Sequence, residues 1–496
     1  AAPMKHPAKI CEPGLFDNEK HFYQRALNAQ IHPMVSYFLS LDQKRIITRY
    51  CHLHPSADAA SLEKILTTKP HYFRWSGADL FNVTTKDGHR QTVVIETNSC
   101  PSGQKSMPLL DENEEHGGYL SLIERTVKPF LNEAKEAGKL VEGVLAVIYD
   151  KNIMEAWGYA NTLADVYQEN VYLTEWYDSD ENPAVRVNDD LVLEVCTADG
   201  VWHPVRAAFR YVTQKPWNRI PIQNIKTLII NPIAACLAGG RNKALAAKAY
   251  DFYNADLARQ ATGLTIRTPE TIRDVSKEEV PLYVKSFGGH AVVKVPYSNA
   301  GQGVYTITSK EELAAFMADD SSNYDSFIVQ SLIGNYKWSS VQQEGQFFHT
   351  GTIPNKQANT FVSDVRMMVH YDFVKGAYRP LVVYARRARM PLADQLNPEM
   401  SSWDMLGTNL SVKKADGSWD TETSRLLLMD RRDFNQLGLS IDELIDGFIQ
   451  TVLSSAAIDR MANKILTTDE DGNPHFNAEL FASLNKDDAL IGEIRV

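Results

Sequence analysis

The chain has 496 residues and a formal net charge of −11 at pH 7, which argues against nucleic acid as a general partner. Its length exceeds what one compact core accommodates, so we expect several packed lobes, and no apolar run approaches the length of a membrane span. The five cysteines are scattered and form no CxxC pair. This pattern predicts free thiols in a reducing, cytoplasmic compartment and no membrane contact.

The first part of the chain predicts helices, and an alternation of strands and helices follows it. Residues 16–66 have the apolar spacing of helices, which Pro33 interrupts. A buried strand, a helix and a second strand then follow in the order of a β-α-β unit, which favours a small α/β lobe with a parallel sheet. The predicted elements are helices over 119–137 and 155–168 and strands over 144–150, 170–175, 191–196 and 205–212.

A hairpin between these two parts carries the first chemical signal. Asp87-Gly88 stands between two β-branched runs and predicts a two-residue turn. That register places Asp79 opposite Glu96, with Asn98 on the same face. Two carboxylates and an amide oxygen on one largely apolar hairpin suit a hard cation such as Mg²⁺. The alternative is an exposed hairpin whose acids are only solvated.

The second half of the chain opens with helices. Asn231-Pro232 predicts a helix start, because Asn can cap a helix and Pro suits its first turn. A further helix is expected to carry Lys243 in its first turn and to run to about Gln260.

Residues 291–307 predict a glycine-rich flap between two strands. Lys294 lies inside an apolar strand, where a lysine without an anionic partner is costly. Glycines let backbone N–H groups approach an anion in the loop that follows. The pattern is neither a P-loop nor a dinucleotide fingerprint, since a strand rather than a helix comes next. Gln330 lies in another buried strand, predicted over 327–333.

Basic residues follow the last predicted strands. Asp364 and Arg366 share a face of a strand over 363–371, and Arg387 and Arg389 share a face of the next, over 382–389. Fixed cations on adjacent strands suit a polyphosphate and a transferring phosphoryl group. The alternative for each arginine is a surface ion pair.

The stretch from Asn231 to Ile307, followed by Gln330, Asp364, Arg366 and Arg387, resembles the nucleotide core of the ATP-grasp ligases. The resemblance implies an α/β (α+β) ATP-grasp fold with an additional small α/β lobe, and it implies ATP and Mg²⁺ as cofactors. Catalysis is then assigned to Arg366, Arg387 and Lys294. The implied nucleotide-binding residues are Lys243, Lys294, Ser298, Asn299, Ala300, Gly301, Gly303, Gln330, Ser331, Leu332 and Ile333.

The family's metal signature is an Asp followed by E-x-N with Pro and Gly, and it fits Asp79, Glu96 and Asn98. Its place before the nucleotide core resembles the permuted branch that includes eukaryotic glutathione synthetase and glutathionylspermidine synthetase. A C-terminal hairpin is a rival metal site. There, a turn at 471–472 predicts that Glu479 faces Lys464, and Asn477 replaces the expected Glu, so we interpret that hairpin as structural.

IETNSCPSGQKSMP and SNAGQGVYTI also resemble the mycosporine-glycine synthases of mycosporine-like amino acid biosynthesis. That resemblance implies a C–N ligase that joins glycine to 4-deoxygadusol, with Ser102, Lys105 and Arg389 as substrate residues. A peptide-type ligase that forms an acyl phosphate and a non-catalytic ATP-binding scaffold remain alternatives, and a homodimer is left open. The expected division of the chain is into 1–140, 141–225, 226–335 and 336–496.

Overall fold

The computed structural model describes residues 2–298, 303–396 and 399–496. Three sheets and the helices around them form a mixed α/β fold, which confirms the predicted fold class. Among the described residues, no helix combines the length and apolar character that crossing a bilayer requires. All five cysteines are free thiols.

A seven-stranded sheet forms the lobe that was predicted to be parallel. The strand Val144–Tyr149 pairs in parallel with Val171–Glu175 and with Trp202–Tyr211, and helix Ile153–Tyr167 connects the first two. The predicted β-α-β unit is therefore confirmed. The other strands of this sheet are Lys9–Cys11, Val185–Val187, Leu193–Cys196 and Leu228–Ile230.

A four-stranded antiparallel sheet carries the flap. Ala291–Lys294 pairs with Val304–Ile307 on one side and with Ser326–Ser331 on the other, and Thr271–Ser276 completes the sheet. The two strands that were predicted on either side of the glycine-rich loop are confirmed.

A six-stranded sheet joins the N-terminal hairpin to the basic strands near the C-terminus. The hairpin strands are Trp75–Thr84 and Arg90–Asn98, and the first of them pairs with Ser363–Asp372. This arrangement brings residues that are almost 300 positions apart onto one surface. The remaining strands are Phe348–His349, Ala377–Arg387 and Leu426–Leu427.

The hairpin has a different turn from the one predicted, but the pairing at its acidic end is the predicted one. Thr85 N donates to His89 O at 3.1 Å, so three residues form the turn, and Gly88 adopts φ +77°. The predicted two-residue turn is wrong. A bulge at Ile95 shifts the register back by one residue, and Asp79 therefore lies opposite Glu96 as predicted.

Helix Ile441–Ile465 packs against both strands of the hairpin, and most of its residues are buried. Ser440 and Glu443 form a capping box at its start. Farther along the helix, the Asp459 carboxylate accepts backbone N–H groups of residues 71–73 at 2.7–3.1 Å, just before the hairpin begins. The Ser455 and Ser76 hydroxyls are 2.9 Å apart. The helix thus fixes the strand that carries Asp79.

The helix predicted to open at Asn231-Pro232 is present, but Asn231 does not cap it. The helix begins at Ile233, and Asn231 Nδ2 instead donates to Trp75 O at 2.7 Å. Lys243 is the first residue of its helix, as predicted, and Asn242 caps that helix.

The remaining helices surround the sheets. They are Asn18–His21, Gln24–Leu27, Pro33–Ser40, Gln43–Leu53, Ala59–Thr67, Gly118–Leu122, Lys128–Glu136, Lys243–Arg259, Val280–Ser286, Lys310–Ala318, Trp403–Leu406, Phe434–Leu437, Ala478–Leu484 and Asp488–Glu493, with π-helical turns at Ile123–Val127 and Cys236–Gly240. Short hairpins are formed by Ser411–Lys413 with Trp419–Thr421 and by Leu466–Thr468 with Pro474–Phe476.

Candidate functional site

One cavity of about 440 Å³ lies where the three sheets meet. Each sheet contributes a wall: the hairpin and basic strands, the flap sheet, and the strand ends of the parallel lobe. The predicted site residues that line it are Asp79, Glu96, Asn98, Ser102, Lys105, Lys294, Gln330, Ser331, Leu332, Ile333 and Arg366.

Asp79 is held by two arginines on the wall of this cavity. Arg366 donates to both of its oxygens, with Nε–Oδ1 at 2.7 Å and Nη2–Oδ2 at 3.1 Å, and Arg386 Nη2 lies 3.3 Å from Oδ2. Burial alone would raise the pKa of Asp79, but the two guanidinium groups together hold it well below its usual range. Asp79 therefore occupies an ion-pair network in this structure, which differs from the metal ligand predicted for it.

Asp364 belongs to the same network. Arg386 Nε donates to Asp364 Oδ1 at 3.1 Å, and a second nitrogen of Arg386 contacts the other oxygen. Burial raises the pKa of Asp364, which Arg386 partly offsets. The two carboxylates thus differ in electrostatic environment although they share one arginine.

Glu96 and Asn98 are the parts of the predicted metal set that face the cavity without such partners. The Glu96 carboxylate makes no hydrogen bond or ion pair with the residues that the structure describes, and it borders the cavity as well as the smaller pocket beside it. Asn98 is buried beside Asp79, and its Nδ2 lacks a hydrogen-bond partner of good geometry among the described residues. Both side chains are available to a ligand.

Lys294 and Lys243 lie on the flap side. The pKa of the Lys294 ammonium is lowered to about 8, because burial and, to a smaller extent, the nearby Lys243 outweigh the opposite effect of Glu96. Lys243 Nζ donates to Ser298 Oγ at 3.1 Å in the adjoining pocket, which shares Glu96, Lys294 and Gln330 with the main cavity. The ammonium groups of Lys243 and Lys294 therefore lie near the unpaired carboxylate of Glu96.

The flap itself is described only in part. Val295 N donates to Gly303 O at 2.9 Å, and Gly303 has φ +68°. A Cβ at this glycine would lie 2.2 Å from Val295 Cγ2, so no larger residue fits. The predicted phosphate-loop residues Asn299, Ala300 and Gly301 lie outside the described residues.

The implied nucleotide-binding residues Gln330–Ile333 form a half-apolar wall of the cavity. Gln330 Nε2 donates to Thr271 Oγ1 at 3.0 Å, and Leu332 N donates to Ser340 Oγ at 2.6 Å. Beside this wall, apolar side chains form a slot of the kind that accepts a flat ring. They are Phe81, Ile95, Val292, Leu332, Ile333 and Leu406.

The structure does not bring Arg387 and Arg389 to the cavity. Arg387 stacks 4.4 Å from the ring centroid of Phe361 and donates to Ala388 O at 2.9 Å. Arg389 lies beyond the end of its strand and pairs with Glu422, with Nη2–Oε1 at 2.6 Å. Successive residues of a strand face opposite sides, so Arg386 takes the position that was assigned to Arg387.

The loop after the hairpin holds Ser102 and Lys105 against the parallel lobe. Lys105 Nζ donates to Asn152 Oδ1 at 2.5 Å and to Ser102 Oγ at 3.3 Å. The fully buried carboxylate of Glu155 accepts the backbone N–H groups of Gly103 at 2.7 Å and of Lys105 at 3.1 Å. Glu155, which the sequence analysis missed, therefore positions this loop.

Lys151 and Arg241 are two further cavity residues that the sequence analysis missed. Lys151 follows the parallel strand Val144–Tyr149, and Arg241 Nη2 donates to Ser99 O at 3.1 Å. Ligands commonly bind at the carboxyl ends of parallel strands, and that rule could have identified Lys151.

The C-terminal hairpin, the rival metal site, leads directly into a helix. It spans Leu466–Thr468 and Pro474–Phe476, and Asn477 Oδ1 caps the helix that follows by accepting Leu480 N at 3.0 Å. Glu479 lies in that helix, so the predicted pairing with Lys464 is wrong.

The residues present fit Mg²⁺ bound together with phosphates. Mg²⁺ sites commonly use one or two carboxylates, with phosphate oxygens and water completing the shell. Glu96 and Asn98 supply such a partial set beside Lys294. Within the described ranges no cluster of three His, Cys, Asp or Glu side chains is arranged for a metal.

Replacing Lys294 by methionine is expected to stabilise the protein. A pKa lowered from 10.5 to about 8 corresponds to a penalty of about 3 kcal/mol on the charged side chain in the folded state. The penalty is complete below about pH 8 and disappears as the pH rises to about 10.5, where the unfolded chain also loses the proton. The gain in free energy of unfolding should therefore shrink across that window.

Urea-induced unfolding of Lys294→Met at several pH values measures this gain. Lys285→Met is the matched control, because Lys285 is exposed on helix Val280–Ser286, and it should leave stability unchanged. A Lys294→Met protein that is less stable than wild type near neutral pH would show that the lysine has a stabilising anionic partner in the fold.

Comparisons with known proteins complete the description. No family model matches the chain, and no curated protein matches it. A candidate gamma-glutamylcysteine synthetase from Methylobacillus flagellatus KT superposes with a TM-score of 0.43 and 11% identity over 88% of this chain and 99% of that one. A glutathione synthetase-like effector from Globodera pallida gives 0.36 and 8% over 72% and 86%. An ATP-grasp RimK domain protein from Sphaerobacter thermophilus DSM 20745 gives 0.27 and 14% over 62% and 98%.

Proposed function

We propose that the protein is an ADP-forming ATP-grasp ligase that uses ATP and Mg²⁺ to join the amine of an amino acid to a phosphoryl-activated small molecule. The observation that carries the proposal is the single cavity that combines the free carboxylate of Glu96, the Asn98 amide, the buried Lys294 and the guanidinium of Arg366. Anionic and cationic groups kept apart in one enclosed site suit a metal-bound polyphosphate.

The roles of the side chains follow from their chemistry. Glu96 and Asn98 hold Mg²⁺, and Lys294 and Lys243 neutralise phosphate oxygens. ATP with Mg²⁺ supplies the phosphoryl group that converts an acceptor oxygen into a leaving group. Arg366 faces the transferring group, and its bidentate contact with Asp79 fixes its orientation.

The second cation of the phosphoryl site is assigned to Arg386 rather than to Arg387, because only Arg386 borders the cavity. By resemblance to the ATP-grasp ligases, the glycine-rich loop between the strands Ala291–Lys294 and Val304–Ile307 would exclude water, which would otherwise hydrolyse the activated acceptor. The nucleotide base fits the apolar slot beside Gln330–Ile333.

For the substrates we propose 4-deoxygadusol and glycine, in the reducing cytoplasm. Transfer of the γ-phosphoryl group to the enol oxygen releases ADP. The glycine nitrogen then attacks the carbon that bears this oxygen. The C–O bond breaks, phosphate and a proton are released, and the enaminone mycosporine-glycine is formed. The alternative acceptor is a carboxylate, which would form an acyl phosphate and then an amide.

ADP release tests the proposal. The purified protein is incubated with Mg-ATP, 4-deoxygadusol and each of a panel of amino acids, and the ultraviolet spectrum is followed for a new enaminone band. Glycine-dependent ADP release with a new band is expected. ADP release only with a carboxylate acceptor, together with hydroxamate formation in hydroxylamine, would favour the peptide-type alternative. Absence of acceptor-dependent ADP release would favour a non-catalytic ATP-binding protein.

A further inference from the structure

Lys151 projects into the cavity from the wall of the parallel lobe. It stands two residues beyond the strand Val144–Tyr149 and is exposed to the cavity rather than packed. Its ammonium makes no hydrogen bond or ion pair with any residue in 2–298, 303–396 and 399–496. A lysine that lines a cavity without such a partner can bind an anionic ligand.

The neighbours of Lys151 make this wall positive. The pKa of Lys151 is lowered to about 8, mainly because surrounding protein displaces water from the ammonium and also because of the charges of Arg241, Arg366 and Lys105. The carboxylate of Asp150 raises that pKa, but its oxygens already accept hydrogen bonds from other residues. It accepts the backbone N–H and hydroxyl of Thr213 at 3.0 and 3.1 Å and Gln214 N at 2.9 Å.

The cavity therefore contains two separate positive groups of side chains. Lys294 ends strand Ala291–Lys294 of the four-stranded flap sheet, whereas Lys151 follows strand Val144–Tyr149 of the seven-stranded sheet, so the two lysines line the cavity from different walls. The Asp79–Arg366 ion pair lies on the wall that the six-stranded sheet forms. If the Lys294 side binds the phosphates, the Lys151 side is free for a second anion.

The chemistry of the reaction identifies that anion. The acceptor oxygen that receives the phosphoryl group must lie beside the phosphates. That oxygen therefore cannot also be the anion that binds Lys151. A free amino acid keeps one carboxylate that does not react. Lys105 contributes to recognition from the loop, since two of its three N–H donors are used by Asn152 and Ser102 and one remains.

We propose that Lys151, together with Lys105, binds the carboxylate of the amino acid that supplies the nitrogen, and that this contact selects amino acids over simple amines. The assignment rests on the ligase function proposed above, but it holds for either acceptor chemistry. It makes Lys151 a substrate-binding residue on a different wall of the cavity from Lys294.

Differential acetylation tests binding without turnover. The full-length protein, with Mg²⁺ and a non-hydrolysable ATP analogue, is treated with a trace of acetic anhydride, and modification of Lys151 is measured by mass spectrometry. Each of a panel of free amino acids, glycine included, is compared with its carboxamide. At least one free acid should slow acetylation of Lys151 several-fold, its amide should not, and exposed Lys139 should react equally throughout.

Kinetics of three variants provide the second test. Lys151→Met should raise the KM for the amino acid by about 10- to 100-fold, the range expected for loss of a hydrogen bond to a charged group, and should leave the KM for ATP unchanged. Lys151→Arg retains the charge and should recover most of the affinity. Lys139→Met, the surface control, should behave as wild type.

The outcomes separate this proposal from the proposed function. Protection of Lys151 by a free acid without any ADP release would support the carboxylate site and count against the ligase. ADP release in which no free acid protects Lys151 better than its amide would overturn the carboxylate site and leave the ligase standing. Equal rises in the KM for ATP and for the amino acid in Lys151→Met would also overturn it.

Discussion

Glu96→Gln is expected to reduce turnover by about 100- to 1000-fold, the range observed when one preorganised electrostatic group is removed from an active site. Glutamine keeps the shape of the side chain but removes the charge that attracts Mg²⁺. The fold should persist, because the Glu96 carboxylate has no hydrogen-bond or ion-pair partner among the described residues. Acceptor-dependent ADP release and the circular dichroism spectrum measure the two effects.

The matched control for Glu96 is Glu136→Gln. Glu136 is exposed at the end of helix Lys128–Glu136 and does not line the cavity. It should retain wild-type turnover. Raising the Mg²⁺ concentration should partly restore the activity of Glu96→Gln if the lost function is metal binding. Turnover near that of wild type in Glu96→Gln would remove the basis for a metal site on this hairpin.

Asp79→Ala is expected to destabilise the protein by about 3–5 kcal/mol, the range for breaking a buried ion pair by removing one partner. Arg366 would keep only the Tyr384 hydroxyl at 3.2 Å and Ser102 O at 3.5 Å, and its charge would stay buried. Because the pKa of Asp79 is lowered by folding, its contribution is complete above the pKa of an unfolded aspartate and is lost as the pH falls below it.

Asp364→Asn is the comparison variant for Asp79. Burial raises the pKa of Asp364, and Arg386 retains Asp79 as a partner, so the loss of its charge should cost much less. Urea-induced unfolding of both variants gives the difference. If Asp79→Ala unfolds at the wild-type urea concentration, the ion-pair network does not stabilise the six-stranded sheet in solution.

The local sequence pattern was sufficient to predict the strands that carry the hairpin acids and Lys294. The β-branched runs around Asp87-Gly88 and the apolar strand around Lys294 predict their own strands, because a pleated, half-buried surface favours those residues. The pairing of Asp79 with Glu96 is correct for a reason that the sequence did not show. A three-residue turn and a bulge at Ile95 shift the register in opposite directions and cancel.

The site residues that the sequence analysis missed are brought to the cavity only by tertiary structure. Whether Arg386 or Arg387 faces the cavity depends on the register of Ser363–Asp372 against Ala377–Arg387, in which Asp364 lies opposite Arg386. Lys151 follows a strand and Arg241 follows the π-helical turn Cys236–Gly240, so only the tertiary fold makes these residues, 90 positions apart, neighbours. Glu155 is buried at the start of a helix, where a sequence pattern predicts an exposed side chain.

Binding of a non-hydrolysable ATP analogue, measured by isothermal titration calorimetry, tests most directly whether this cavity is a nucleotide site. The wild-type protein should bind the analogue, and binding should weaken when Mg²⁺ is withheld. Lys294→Met should bind it at least about tenfold more weakly, as expected when a charged contact is lost. Equal affinity in wild type and Lys294→Met, or no binding to either, would contradict the account.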